Sequence, residues 1–531
     1  MSGRRKKDEK PPPAIGPGSK IVSLPKDIKR FIKPKTTGKK GVELRWSTTS
    51  VKNLPKEIYQ NEEIMEFATL LDAPNNRIKK LPKAVSAFTE LEAIDLKNNQ
   101  LSAMPGTISK LKHLKEIDMS GNAIKSLPKT IHKASALTDI KASGNRIKTI
   151  PAKLGTAPNL VTLDISNNIV KSLKKNIYKM PISLNVSHNR LRELPAVSIK
   201  NPAIHSIDVS HNMLEVLPSG LENLLCLTWL DISHNELEEL PPNIGFMKYL
   251  HYLNISNNHL KALPEEICSL QFAIVELDVS HNQLEETPNA FAQFKKLQIF
   301  RCHHNEIKRI PTKIEEMRTL KLIDLSHNKL QQIDRVVGVK SCEELYLSDN
   351  DIEKVPDDID QMKSLITLDL ANNRIRHLPD ALGKARALKE LRVAGNKIAM
   401  FPDTIGEDQI LTEIDITNNR LEAMPNDMRR LRNIQILRMA NNQLSAMPKS
   451  FDALYTCFVL DVSGNQLTGI PIPPQVMEFS LSDNPIHMPA DDPRGSVILH
   501  LSDDSHQRCM TELYLSGLQF EEIPIQVKQI S

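Results

Sequence analysis

The most constraining feature of this chain is a repeat of about 23 residues, which begins at Thr69 and has the form L-x-x-L-x-L-x-x-N-x-L-x-x-L-P. Clear copies occupy residues 91–105, 227–241 and 365–379. A fixed period of this length predicts a solenoid, because one short unit cannot bury its apolar residues alone and stacked units can. The repeat's asparagine stands at positions 76, 99, 122, 145, 168, 189, 212, 235, 258, 282, 305, 328, 350, 373, 396, 419, 442, 465 and 484.

Each part of the repeat has a physical role in this prediction. The alternation L-x-L has the period of a strand and turns the leucines inward, so that the residue between them is exposed. The asparagine can both donate and accept, which allows it to satisfy backbone groups of the turn that leaves the strand. The proline fixes φ and suits the first turn of a short helical or 3₁₀ segment. Stretches such as 243–253, NIGFMKYLHYL, are predicted to supply apolar residues to the convex side.

Two degenerate units extend the array to about 20–21 repeats. They cover residues 42–55 and 510–524, where Thr49 and Leu518 replace the asparagine. Terminal repeats are expected to be atypical because they cover the end of the core. Trp46 occupies a buried leucine position in the first unit, so we predict that it caps the core.

The repeat form LPxxI–xxL–xxL–xLxLxxNxL resembles that of the intracellular, Ras-group class of leucine-rich-repeat proteins, which includes the Ras-binding scaffold of the MAP-kinase pathway. The resemblance spans about residues 42–524. It implies an α/β fold, namely a leucine-rich-repeat solenoid or horseshoe with a concave parallel β-sheet and short helical or 3₁₀ convex segments. It also implies a non-enzymatic scaffold whose partners are other proteins, such as small GTPases or phosphatase subunits.

The sequence divides into four predicted segments. Residues 1–40 form a basic leader, predicted to be disordered, in which 13 Lys/Arg oppose three Asp/Glu, a net charge of 13 − 3 = +10. Residues 41–489 form the solenoid, residues 490–509 an insertion with a capping helix, and residues 510–531 a terminal degenerate repeat. The leader has three interpretations: a solvated tail, a tether to anionic membrane or an acidic partner, and a nuclear-targeting signal.

Sequence motifs for catalysis are missing from the chain. It contains no G-x-x-x-x-G-K-[ST] loop, no kinase motif set, no G-x-S-x-G elbow and no H-E-x-x-H. We therefore predict that the protein is not an enzyme and uses no cofactor. No apolar stretch resembles a signal peptide or a bilayer span, and the six cysteines form no C-x-x-C pair, so we expect a cytoplasmic protein with a possible nuclear or membrane-peripheral fraction.

The exposed position between the two strand leucines is acidic in most repeats. Such a row either keeps a long sheet soluble or steers a basic partner by electrostatic attraction. Arg301, Arg392 and Arg438 interrupt the row, and we predict that they pair with acidic residues of a partner. Aspartate holds this position at 72, 95, 118, 164, 208, 231, 278, 324, 369, 415 and 461.

Two aromatic residues, Trp229 and Tyr252, fall two positions before this point on adjacent repeats. The chain has only two tryptophans and seven tyrosines, so their coincidence is informative. Large amphipathic side chains dominate protein interfaces, which favours a partner contact over simple filling of the surface. With His251 and Asp231 they form the predicted protein-binding anchor.

Six histidines occupy the position immediately before the repeat asparagine. Asn, Gly and Asp fill the same position elsewhere, which indicates a turn that tolerates small polar side chains. The row lacks converging carboxylate or thiolate ligands, so we predict no metal site there. These residues are His188, His211, His234, His281, His304 and His327.

The leading hypothesis is a non-enzymatic protein–protein interaction scaffold that acts through its concave sheet. The alternative is a membrane- or cytoskeleton-associated structural adaptor held by the basic leader. Deleting the leader separates the two hypotheses, because only the adaptor depends on it for localisation.

Overall fold

The structure, a computed structural model, describes residues 24–34, 41–407, 410–468, 473, 475–485, 487–488, 512–514, 516 and 519–520. The chain forms two compact units, unit 1 up to Asn258 and unit 2 from His259. The predicted insertion at 490–509 lies outside the described residues, as does most of the predicted leader. Each unit is a stack of coils, and one coil corresponds to one repeat.

Unit 1 is built on a sheet of short strands. Strand β1 pairs with β2 in antiparallel fashion, and β2 to β11 follow one another in parallel. Sequential strands that pair in parallel are what a solenoid of repeats requires. The strands are β1 (Ile32–Pro34), β2 (Val42–Arg45), β3 (Ala68–Asp72), β4 (Ala93–Asp95), β5 (Glu116–Asp118), β6 (Asp139–Lys141), β7 (Thr162–Asp164), β8 (Ser183–Asn185), β9 (Ser206–Asp208), β10 (Trp229–Asp231) and β11 (Tyr252–Asn254).

Unit 2 repeats the same arrangement. Strands β12 to β21 pair in parallel in chain order, β23 follows β21, and β22 pairs separately with β24. The strands are β12 (Glu276–Asp278), β13 (Ile299–Arg301), β14 (Leu322–Asp324), β15 (Glu344–Tyr346), β16 (Thr367–Asp369), β17 (Glu390–Arg392), β18 (Glu413–Asp415), β19 (Ile436–Arg438), β20 (Val459–Asp461), β21 (Glu478–Ser480), β22 (His487–Met488), β23 (Glu512–Tyr514) and β24 (Gln519–Phe520).

Most coils return to the next strand through a single turn of 3₁₀ helix, as the sequence predicts. Proline stands immediately before many of these turns in an extended conformation, as at Pro105 and Pro379. Two short α-helices cover Lys26–Lys29 and Glu62–Phe67, and no helix in the described part of the chain is long and apolar enough to cross a bilayer. The 3₁₀ segments are Lys56–Tyr59, Lys83–Ala87, Gly106–Lys110, Ile131–Lys133, Ala152–Thr156, Lys175–Lys179, Leu221–Asn223, Pro242–Phe246, Glu265–Leu270, Phe291–Gln293, Ile314–Glu316, Val336–Gly338, Ile359–Gln361, Asp380–Lys384, Met428–Arg430 and Lys449–Ala453.

The repeat asparagines, which are buried except for the half-buried Asn122, bind the coils to one another. In unit 1, the side-chain amide of Asn145 donates to the carbonyls of Met119 and Ala142 at 3.0 Å each, while its oxygen accepts from the backbone N–H of Ile124 at 2.9 Å. Asn373 repeats this arrangement in unit 2. The predicted role of the asparagine as both donor and acceptor is confirmed.

The residue before each repeat asparagine adopts a left-handed backbone conformation. Its φ is 51° at His211 and 54° at Asn98, and glycine takes the same place at Gly144 with a φ of 66°. Asn, Asp and His tolerate this region better than most residues, and glycine has no Cβ to oppose it. The prediction that the histidines occupy turn positions is therefore confirmed.

Trp46 covers the first coil of unit 1. Its side chain is 1% exposed, and its ring lies 5.4 Å from that of Phe31 between centroids. Ile28 and Ile32 are also buried, and β1 hydrogen-bonds to β2. The predicted capping role of Trp46 is confirmed. Residues 26–34, which the sequence assigns to a disordered leader, are a helical turn and a strand packed on this cap.

Candidate protein-binding surface

Trp229 and Tyr252 form a stacked pair on unit 1. They stand opposite each other in the register of β10 and β11, with ring centroids 4.8 Å apart and planes inclined by 6°. Leu230 and Leu253, next in each strand, are buried, so the aromatic residues lie on the other face of the sheet. We call this face, which carries the first and third residues of β9, β10 and β11, the open face of unit 1. The pair is half-buried, and the two rings contact each other.

Asp231 lies beside the pair but its oxygens have partners within the sheet. One oxygen accepts from the Ser233 backbone N–H at 2.9 Å and from the Ser233 hydroxyl at 2.6 Å. The other accepts from the Asn254 amide at 3.1 Å. Burial raises the pKa of Asp231, and the hydrogen bonds from Ser233 and Asn254 oppose that rise. Asp231 therefore stabilises the turn after β10 through its hydrogen bonds with Ser233.

His251 completes the group in unit 1. Its side chain is exposed, and its backbone N–H donates to the carbonyl of Thr228 at 2.8 Å, the same oxygen that accepts from Tyr252 at 3.1 Å. The four unit 1 residues named from the sequence thus belong to two neighbouring coils. Trp229 and Tyr252 are in mutual contact, and His251 adjoins Tyr252 in the chain.

The three arginines named from the sequence lie in unit 2 and already have carboxylate partners on the same sheet. Arg301 pairs with Glu276 across β13 and β12. Arg392 approaches Glu413 at 3.5 Å, and Arg438 approaches the same carboxylate at 3.3 Å. An acidic partner would therefore have to exchange with these carboxylates. These pairs are partly buried, so a partner that takes the arginines must offset the cost of leaving Glu276 or Glu413 without its cation.

Sequence reasoning missed a second group of exposed apolar residues in unit 1. In the stretch 243–253, Ile244, Met247 and Leu250 are buried as predicted, but the exposed fractions of Phe246 and Tyr249 are 52% and 56%. Both lie on the turn before β11. Their spacing is that of a helix, whereas the 3₁₀ turn Pro242–Phe246 ends at Phe246 and Tyr249 lies beyond it.

The histidines before the asparagines stack from coil to coil. In unit 1, His211 lies 3.9 Å from His188 and 3.8 Å from His234 between ring centroids. In unit 2, His304 stacks in the same way on His281 and His327. Burial, together with the neighbouring imidazoles, lowers the pKa of His211 and of His304, so the middle ring of each stack favours the neutral form.

Comparison with known families agrees with this geometry. Profiles described as leucine-rich repeat match residues 69–124, 89–147, 183–237 and 340–398, and a second profile of the same description matches residues 249–270. The repeats in these matched segments are leucine-rich repeats. A search of curated proteins finds no match.

Several solved structures are similar to this protein. A leucine-rich-repeat protein of Leptospira interrogans is 26% identical with a TM-score of 0.59, over 78% of this chain and 94% of that one. The Arabidopsis receptor kinase HAESA, solved with the peptide hormone IDA and the co-receptor SERK1, is 25% identical with a TM-score of 0.60, over 88% and 80% of the two chains. The plant peptide hormone receptor RGFR1, in complex with RGF2, is 22% identical with a TM-score of 0.61, over 94% and 85%, and supports the fold alone.

Proposed function

We propose that this leucine-rich-repeat protein is an interaction scaffold that binds partner proteins on the open face of unit 1, with the Trp229–Tyr252 pair as its anchor. The observation that supports this most is the stacked pair itself. The equivalent positions on the neighbouring strands hold Thr162, Ser183 and Ser206. Because small polar residues satisfy the fold at this position, the two large rings are not needed to fill it.

The other residues have supporting roles in this proposal. His251 presents an exposed ring next to Tyr252, and Asp231 holds the turn beside Trp229 through its bonds to Ser233. On unit 2, taken by itself, Arg301, Arg392 and Arg438 with Glu276 and Glu413 form a charged surface that suits ionic contacts with a partner. The likeness to HAESA, a protein solved with a peptide and a protein partner, supports a protein or peptide ligand.

The finer assignment rests on the repeat form. We propose a cytoplasmic protein whose partners belong to small-GTPase or phosphatase signalling, because the LPxxI form resembles that of the Ras-group class. The alternative, a membrane- or cytoskeleton-associated adaptor, rests on the net charge of +10 over residues 1–40.

The test compares two double variants that remove similar aromatic area from different faces of unit 1. Trp229→Ser/Tyr252→Ser alters the open face and introduces the residue that β8 and β9 carry there. Phe246→Ala/Tyr249→Ala removes the exposed rings of the turn. We expect the first variant to weaken partner binding by about 2 kcal/mol or more, roughly 30-fold in Kd, while the second retains it.

Partners are captured from lysate with the unaltered protein, identified by quantitative mass spectrometry, and their Kd values measured with purified components. Thermal unfolding of all three proteins establishes that the variants fold equally. Equal binding by the open-face variant and the unaltered protein would refute the proposed anchor. Selective loss in the turn variant would move the site to Phe246 and Tyr249.

A further inference from the structure

One coil of unit 2 carries a histidine that the other histidine coils lack. His303 precedes His304, and with His281 of the neighbouring coil the two form a group of three imidazoles. One nitrogen from each ring lies within 4.8 Å of the others, and the Nδ1 atoms of His303 and His304 are 2.9 Å apart. The ring of His303 stands nearly perpendicular to those of His281 and His304, at 86° and 77°.

The sequence of this coil explains why the third ring turns toward the other two. In the other histidine coils the position of His303 holds serine, whose hydroxyl donates to the aspartate or asparagine two residues earlier, as Ser326 does to Asp324 at 2.6 Å. In this coil that acceptor is replaced by Arg301, which pairs with Glu276 instead. This coil therefore has neither the serine nor the acceptor that form this hydrogen bond in the other histidine coils, and the larger His303 side chain reaches the stacked rings.

The surroundings are compatible with a cation. Asp278 and Asp324 flank the coil on the neighbouring strands, in register with Arg301. The guanidinium of Arg301 is paired with Glu276, which offsets its charge. At the end of the histidine stack, His327 lies 3.4 Å from a carboxylate oxygen of Asp349. Carboxylates thus border the histidine group in both directions along the sheet.

We propose that His281, His303 and His304 bind a divalent first-row transition ion, with zinc as the reference ion. Imidazole nitrogen is a preferred ligand of zinc, copper and nickel. Zinc–nitrogen bonds of about 2.0–2.1 Å place two ligand atoms roughly 3.3 Å apart in a tetrahedral site, so the rings must rotate to bring the three nitrogens, now within 4.8 Å of one another, to that separation. Three histidines leave one position of such an ion for water or for a side chain of a partner. The site is exposed, so an ion there is accessible to a bound partner.

The sequence predicts no metal in the row of histidines that precede the repeat asparagines. In that row each imidazole lies one strand from the next, and the row itself supplies no further converging ligand. His303 stands one position earlier and supplies the third, convergent ligand. The stack of unit 1 provides the comparison: His188, His211 and His234 are preceded by Ser187, Ser210 and Ser233.

The test is isothermal titration of the full-length protein with zinc chloride at neutral pH. His303→Ser gives this coil the residue that its neighbours carry, and His304→Asn keeps a residue suited to the left-handed conformation. His211→Asn makes the matched change in the unit 1 stack. We expect one zinc equivalent in the unaltered protein, at least about tenfold weaker binding in the His303 and His304 variants, and no change in the His211 variant.

Unfolding temperatures measured without metal confirm that the variants retain the fold. An unaltered protein without saturable zinc binding would overturn the proposal, as would a His303→Ser protein that binds zinc equally well. Equal losses in His303→Ser and His211→Asn would also overturn it, because stacked imidazoles in general would then explain the binding.

Discussion

Asn235, in the coil that carries Trp229, offers a direct test of how the coils are held together. Its amide donates to the carbonyls of Val209, Ile232 and Ser233 at 3.0–3.1 Å, and its oxygen accepts from the backbone N–H of Leu214 at 2.9 Å. The side chain is 5% exposed. Replacement by alanine therefore removes four hydrogen-bond contacts from a buried site, three of which share the two protons of the amide.

The four losses are not equivalent. The three carbonyls keep other donors: Asn212 for Val209, Asn258 for Ile232 and His211 for Ser233. The N–H of Leu214 is left without an acceptor, which costs about 1–3 kcal/mol when the group is buried. The two amide protons, which the three carbonyls share, add about 0.5–1.5 kcal/mol each. We expect Asn235→Ala to lower the free energy of unfolding of this region by about 2–6 kcal/mol.

The assay is native-state hydrogen exchange, together with urea unfolding. Stability in a repeat array is a sum of coil and interface contributions, so a local defect opens locally. Protection of the Leu214 amide should fall by about 30-fold or more. His234→Asn, at the exposed position before Asn235, is the control and should remain within about 0.5 kcal/mol of the unaltered protein. If Asn235→Ala loses less than about 1 kcal/mol and Leu214 stays protected, the assigned role of the asparagine row is wrong.

Three further predictions concern the histidine stack, a buried glycine and the N-terminal cap. Burial, together with His234 and His188, lowers the pKa of His211 in the folded protein, so the unfolded chain binds more protons than the folded one below about pH 6.5. The unfolding temperature should therefore fall as the pH drops through that range, and His211→Asn should reduce this fall. A Cβ on Gly383 would lie 2.1 Å from the carbonyl oxygen of Thr404, so Gly383→Ala should destabilise unit 2 by about 1–3 kcal/mol in urea unfolding, whereas Gly144→Asn, with its nearest neighbour at 3.4 Å, should be close to neutral. Deleting residues 1–23 should leave the unfolding temperature unchanged, whereas deleting residues 1–40 should lower it by exposing Trp46. The shorter deletion removes a net charge of 6 − 2 = +4, so it also tests whether cellular location depends on these basic residues.

The fold can be predicted from the sequence because each repeat carries the same pattern of leucine, asparagine and proline positions. The alternating leucines give the strand, the proline gives the start of the 3₁₀ turn, and the asparagine gives the hydrogen-bonding residue between coils. The pairing of Trp229 with Tyr252 is also predictable, since residues one period apart become neighbours in a solenoid. The exposure of Phe246 and Tyr249 is not, because apolar residues at helical spacing look alike in an α-helix and in a 3₁₀ turn.

The sequence by itself determined the coil, its period, the inward leucines and the cap at Trp46, all of which depend on contacts between nearby residues or equivalent positions. The tertiary structure decided which polar side chains already have partners. In the folded protein, Arg392 and Arg438 form ion pairs with Glu413. The carboxylate of Asp231 accepts a hydrogen bond from Ser233, and His303 lies close to His281 and His304. These outcomes depend on side-chain directions and on distances across strands, which a repeat pattern alone does not specify.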